Sequence, residues 1–431
     1  MKYFYLCKNE HAMRNKFKYL ALLCLGFAVL SACKKVEDDT VPPDELIERK
    51  DFVLTRADRA FIQSNNGFAL ELFKQVVRRG EGKALLISPL SVTIDFGMVN
   101  NGAAGVTREE ISRVLGYQET SIDGLNTFCR SMLDQSSAVD PSTTLELANA
   151  GVVNSRFSAL KDGFTQTVQT YYDAEIIYKD FATDNIVALI NDWCDRKTHG
   201  MIPELLKDPV SPQSYAHFLN AVYFKGIWSE KFSKSETRKE PFTREDGEQV
   251  SVSMMHQKHT SIYGGVSGLC EALTLPYGNQ AYRMTVILPQ EGLPLGKLVE
   301  KFDTDTWNAL MASFGQVEAD IKVPSFEVES MFELQDLLQE MGMTTAFGNW
   351  ADFSNMTQTR VCIDKVLHKA RIKVDEEGSE AAAVTDIEMR KTTSSGPGGK
   401  PVTFHADRPF LFAITEVSSG AIFFLGQYTG K

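Results

Sequence analysis

The sequence predicts an α+β fold. Three observations lead there: helix-spaced apolar residues crowd the first half, strand-like apolar runs crowd the second, and the two never alternate regularly as a doubly wound sheet demands. From Ala57 to Arg79 the positions Phe61, Phe68, Leu72, Phe73, Val76 and Val77 recur at helical spacing, and Gly80 ends the run. Leu85, Leu86 and Ile87 then read as a short buried strand turned by Pro89. Thr107-Arg108-Glu109-Glu110 has the form of a capping box and predicts a helix from there to Gly116. Ile186, Leu189, Ile190 and Trp193 predict another helix, ending near Gly200. Strands are expected at Ala216 to Phe224, Tyr282 to Leu288, Val361 to Val374, Phe410 to Thr415 and Ala421 to Leu425, the last two joined by Ser418-Ser419-Gly420. No repeat and no composition break follows residue 50, so residues 51 to 431 are expected to form a single domain.

Of 431 residues, 43% are hydrophobic and 23% charged, ordinary globular usage that excludes collagen-like, coiled-coil and disordered classes. The formal net charge is −11. Residues 1 to 32 hold Lys2, Lys8, Arg14, Lys16 and Lys18 against Glu10, a net +4 that leaves −15 on the remainder. So acidic a body repels phosphate backbones, and no nucleic-acid partner is expected.

Arg14, Lys16 and Lys18 precede the apolar stretch Tyr19 to Ala32, which is too short to span a bilayer comfortably and is placed like an export-signal core, with Met13 as the expected start. Its end, Leu30-Ser31-Ala32-Cys33, resembles the bacterial lipobox. That resemblance implies removal of residues 1 to 32, lipid on the Cys33 thiol, and a body anchored at the outer membrane of a bacterial cell envelope, open to surface exposure. A plain secretory signal or a membrane anchor is the alternative. Residues 33 to 50 read as a polar tether with nothing to bury. Cys129, Cys194, Cys270 and Cys362 are far apart, lack any C-x-x-C pair, and are expected as buried free thiols, on the apolar neighbours of Cys194 and Cys362.

Recognisable catalytic chemistry is absent. The sequence has no G-x-S-x-G, H-E-x-x-H, G-x-x-x-x-G-K-[ST] or G-x-G-x-x-G, and no nucleophile and base that pair. His256 and His259 lack a third ligand, and His199, His217, His368 and His405 are scattered. Neither a metal nor a cofactor is expected, and an exported hydrolase is the weaker class of hypothesis.

One segment breaks the pattern of a compact domain. Residues 375 to 401 form a connection with scarcely a large apolar side chain, which is either functional or disordered. Counting in twos, Ser379, Ala381, Ala383, Thr385, Ile387 and Met389 are small or apolar, while Glu380, Ala382, Val384, Asp386, Glu388 and Arg390 are mostly polar. That alternation describes a half-buried strand, preceded by the pliable Gly378. Thr392-Thr393-Ser394-Ser395-Gly396-Pro397 carries no such pattern. From pattern alone a plain surface loop stays open.

Glu376-Glu377-Gly378-Ser379-Glu380-Ala381-Ala382-Ala383 resembles the hinge of an inhibitory serpin. In order along the chain, Ile87-Ser88-Pro89-Leu90-Ser91, Asn191-Asp192-Trp193 with Thr198-His199-Gly200, Leu219-Asn220-Ala221-Val222-Tyr223-Phe224, Ala351-Asp352-Phe353-Ser354 and Asp407-Arg408-Pro409-Phe410 resemble further serpin motifs. The resemblance implies a large central sheet, two smaller sheets and surrounding helices. It also implies an exposed reactive loop that a target serine protease cleaves and that then inserts into the central sheet with the acyl-enzyme attached. The cut is expected fourteen residues after Gly378, at Thr392 with Thr393 following, which suits elastase-like enzymes; Arg390 and Lys391 are the alternatives for trypsin-like ones. Gly378, Ser379, Glu380, Ala381, Ala382, Ala383, Val384 and Thr385 form the implied hinge. Ser88, Ser91, Asn220 and His368 match the place where the sheet opens, and Trp228 and Glu376 the point where insertion begins, with Ser325 standing where a basic partner is usual. The implied protein is a monomer. A non-inhibitory carrier or chaperone is the rival, against which stands the lack of large or proline residues from Ser379 to Thr385.

Overall fold

The computed structural model describes residues 48–117, 121–379 and 402–430. Helix α1 (Arg56–Arg79) starts where Thr55 and Asp58 satisfy each other's backbone N–H groups and ends on Gly80. Strand β1 (Leu85–Ile87) is followed at once by α2 (Pro89–Gly102). Pro89 therefore opens a helix, where its missing N–H costs nothing, rather than merely turning a strand. Helix α3 (Gly105–Val114) begins before the expected capping box, at Ala104, which makes no side-chain cap. Thr107 Oγ1 instead accepts the Asp352 N–H at 3.0 Å, and Glu110 accepts the N–H groups of Thr344 and Thr345. The box residues are spent tying α3 to a distant loop.

The chain continues through α4 (Ile122–Ser136), β2 (Thr143–Asn154), α5 (Asp162–Tyr172), β3 (Glu175–Lys179), α6 (Ile186–Lys197) and β4 (Ala216–Ile227). Then come β5 (Arg238–Thr243), β6 (Gln249–Val266), β7 (Cys270–Tyr277), β8 (Tyr282–Pro289), α7 (Leu295–Lys301), α8 (Thr304–Ala312), β9 (Gly315–Pro324), β10 (Phe326–Glu333) and α9 (Gln335–Glu340). Last are β11 (Leu367–Val374), β12 (Gly378–Ser379), β13 (Val402–His405), β14 (Phe410–Glu416) and β15 (Ile422–Tyr428). Strand β11 starts six residues later than the expected Val361, and β2 and β3 lie in a half that reads as helical.

Two sheets organise the described residues, where the resemblance implies one large sheet and two smaller ones. A nine-stranded sheet runs β1-β15-β14-β8-β7-β6-β9-β13 with β5 on β6, and a six-stranded sheet runs β10-β11-β12-β4-β2-β3. Helix α2 lies against β4 of one and β15 of the other and is buried nearly all round, so it carries no amphipathic stripe. Helix α6 covers the other face of the six-stranded sheet, where Ile190 and Trp193 pack with Val152, Leu219 and Ala221. Cys129, Cys194 and Cys270 are buried free thiols as expected, but Cys362 is exposed, because residues 361 to 366 run as an irregular surface segment.

Candidate functional site: the seam between β4 and β11

Strands β4 and β11 are not direct neighbours: the two residues of β12 stand between them, antiparallel to both, so β4 and β11 run parallel. Ser379 faces Val374 on one side and Gly226 on the other. Val374, Ile372, Ala370 and His368 alternate onto the buried face of β11, and the same period of two applies to the inserted residues. Ser379 is fully buried, and its hydroxyl meets the Tyr277 hydroxyl at 2.6 Å. Burial raises the Tyr277 phenol above its ordinary pKa, so it stays a neutral partner. Its ring stacks on Trp228, with centroids 4.4 Å apart. At Gly378 a Cβ would overlap the Gly226 carbonyl oxygen, and the close approach of two backbones is what requires glycine here.

The turn into β12 is held from one side by residues 228 to 237. Trp228 donates its indole N–H to Asp375 O (2.8 Å) and its backbone N–H to Glu377 O (2.9 Å), and Phe232 N–H donates to Glu376 O (3.0 Å). The Glu376 carboxylate accepts the Thr237 hydroxyl at 2.6 Å. Glu377 pairs with Lys231 (2.8 Å) and Lys234 (3.0 Å), whose side chains hold its carboxyl below the ordinary range. The ionic contact of this turn therefore sits at Glu377, one residue after the Glu376 that the resemblance singles out. Ser325, in the usual cation's place, hydrogen-bonds through its backbone to Ser253.

Farther down the seam, hydroxyl, amide and imidazole groups meet under the sheet. Ser88 N–H donates to His368 Nε2 at 3.0 Å, and Ser88 caps α2 by accepting the Ser91 N–H. The Ser91 hydroxyl bonds Asn220 Oδ1, Asn220 Nδ2 donates to Asn149 Oδ1 (2.6 Å), and Asn149 Nδ2 donates to the Tyr172 carbonyl (2.7 Å). Burial without a charged partner pulls His368 down from 6.5 to about 4, so its ring is neutral at pH 7.

Ser88, Ser91, Asn220 and His368 thus lie together, and Trp228, Glu376, Gly378 and Ser379 gather at one end of the same seam. The remaining hinge residues Glu380, Ala381, Ala382, Ala383, Val384 and Thr385, together with Arg390, Lys391, Thr392, Thr393 and Cys33, lie outside the described residues. Sequence reading missed Asn149, Tyr277, Thr237, Lys231 and Lys234, and gave Glu377 no role beyond its place in the hinge motif. Asn149 had a signal, an amide amid the apolar alternation of a strand; the others act through tertiary contacts that no local pattern announces. His256 lies on a strand and meets Asp320 at 2.6 Å, and among the described residues no three ligand-type side chains are grouped to hold a metal.

The profile of the family described as serpin (serine protease inhibitor) matches residues 63–430. The chain belongs to the serpins. Iripin-2 of Ixodes ricinus is 32% identical over 370 residues, covering 85% of this chain and 92% of that protein. An uncharacterized serpin-like protein of Methanosarcina acetivorans is 33% identical over 418 residues, with 95% of each chain covered. Among solved structures, the thermophilic serpin tengpin in its native state superimposes with a TM-score of 0.77 at 27% identity, over 89% of this chain and 98% of tengpin. The α+β architecture is the serpin fold, and serpins are for the most part serine protease inhibitors rather than enzymes.

Proposed function

We propose that this serpin is an inhibitor of the suicide-substrate kind, and that its cleaved reactive loop enters the six-stranded sheet between β4 and β11. The observation supporting this most directly is β12 itself, two hinge residues hydrogen-bonded into that sheet with strands on both sides. Continuing its register six residues beyond Ser379 brings Thr385 opposite His368 on β11 and Asn220 on β4, since each partner also moves six residues, from Val374 and from Gly226. Ala381 and Ala383 fall on the core face beside Ile372 and Ala370, positions that only small side chains fill without displacing the core. The same count gives β4 partners as far as Met389, so cleavage at Thr392 leaves a strand long enough to complete the ladder. On the order of ten ladder bonds at ~1 kcal/mol each would drive insertion.

In this reading residues 51 to 431 act as one monomeric domain, with the reactive bond Thr392 to Thr393 taken by elastase-like proteases and Arg390 or Lys391 by trypsin-like ones. Cys33 carries the lipid that tethers the body to the outer membrane. Mixing the purified body with elastase should give a covalent complex that survives boiling in SDS, with a new N-terminus at Thr393 by mass spectrometry. A cleaved serpin without complex, melting no higher than the intact form, would sink the inhibitory reading and favour a carrier.

A further inference from the structure

We infer that Lys231 and Lys234 are positioning residues that set the register of the hinge before any loop enters the sheet. The inference deepens the inhibitory reading and rests on it for its kinetic consequence. Residues 375 to 378 form the turn of a hairpin between β11 and β12, closed by Asp375 N–H to Gly378 O at 2.9 Å. The sequence of that turn, Asp375-Glu376-Glu377-Gly378, places three carboxylates in a row, whose mutual repulsion opposes the compact turn. Segment 228 to 237 answers each of the first three residues in turn, three of its contacts going to main-chain carbonyls and three to the Glu376 and Glu377 carboxylates. A backbone ladder alone tolerates slippage, because every residue offers the same groups.

The Glu377 carboxylate removes that freedom. Its Oε2 meets Lys231 and its Oε1 meets Lys234, so one cation holds each oxygen. A slip by one residue carries Glu377 about 3.3 Å along the strand and breaks both pairs. It also reverses the faces, taking Ser379 away from Tyr277 and driving Glu380 toward the core. The two lysines therefore select the register in which Ser379 points inward, the one that Ala381, Ala383 and Thr385 would follow on insertion. Lys373, 3.5 Å from Asp375, adds a third cation on the β11 side of the turn.

The test compares wild type, Lys231→Ala/Lys234→Ala, and the charge-exchanged Lys231→Glu/Lys234→Glu/Glu377→Lys. Amide exchange at Trp228 and Phe232, whose N–H groups bond the turn, needs no protease and reads the clasp alone. Exposed pairs of this kind translate to about a 3- to 10-fold rise in exchange in the double variant, reproduced in wild type by about 0.5 M salt and reversed in the charge-exchanged protein. The number of inhibitor molecules consumed per elastase trapped should rise and fall in parallel. Unchanged exchange in the double variant, or a charge-exchanged protein that restores neither readout, overturns the inference. If wild type forms no covalent complex, the inhibitory reading is lost, and amide exchange still decides for or against the clasp.

Discussion

The two ends of one seam are built from different materials. At the hinge end, contacts to residues 375 to 378 are ionic, aromatic and main-chain, and the Lys231, Lys234 and Glu377 side chains are each at least 30% exposed. In the middle, Ser88, Ser91, Asn149 and His368 are buried, and with the part-buried Asn220 they bond to one another without a formal charge. A partly solvated end lets a strand enter, because water can replace each contact as it breaks. A neutral buried network makes separation of the strands costly and reclosure specific, since each orphaned group costs about 1–3 kcal/mol.

The strongest way to break this comparison is to place a charge on the inserting strand. On insertion in the β12 register Ala383 would fall between Ala370 and Val222 on the core face, whereas Ala382 would fall beside Arg371 on the outer face. Ala383→Arg should slow insertion by at least about 100-fold and leave a substrate instead of an inhibitor, because the guanidinium would enter the core unpaired. Ala382→Arg should cost only a few-fold. Equal losses of elastase trapping in the two variants would contradict the alternation.

In the middle of the seam, Asn220→Ala removes one side chain but takes a partner from two others, the Ser91 hydroxyl and the Asn149 amide oxygen. The expected loss is about 2–4 kcal/mol in urea unfolding, against a small change for an exposed asparagine. The network also predicts acid sensitivity. Unfolded, the His368 ring takes a proton near its ordinary 6.5; folded, only near 4. Between those values the unfolded chain binds more protons, so stability falls as pH drops from about 6.5 to about 4 and changes no further below. The loss is about 3 kcal/mol, and His368→Gln should flatten that part of the profile. A wild type whose unfolding free energy is level across that window would remove His368 from the account.

Much of the seam is legible in the sequence, and the limit is physical. Ser88, Ser91, Asn220 and His368 are recognisable because polar residues interrupt apolar runs at places a family has in common. The strands β4, β8, β14 and β15 follow from apolar patterning, and α1 from its spacing. Helix α2 escapes because it is buried against both sheets and shows no periodic face. Thr107 and Glu110 look like a cap, yet tertiary partners at Asp352, Thr344 and Thr345 outcompete the local one. Cys362 sits between Val361 and Ile363, and both of these pack against the core, so the cysteine between them is left on the opposite, exposed side of the segment.

The smallest effect separates two adjacent glutamates. Family resemblance points to Glu376 as the residue where insertion starts, but its carboxylate takes one neutral hydroxyl, from Thr237, and Glu377 holds both cations. Glu376→Gln keeps an acceptor for that hydroxyl and removes no ion pair, so it should change stability by less than about 0.5 kcal/mol and leave salt dependence as in wild type. Glu377→Gln should abolish most of the salt dependence of amide exchange at Trp228 and Phe232 while changing stability by about 1 kcal/mol or less, since exposed pairs contribute little in water. Measuring that exchange in both variants at low and high salt assigns the charge: a salt response lost in Glu376→Gln and kept in Glu377→Gln would return the ionic role to the residue the family pattern names and would leave Lys231 and Lys234 as bystanders.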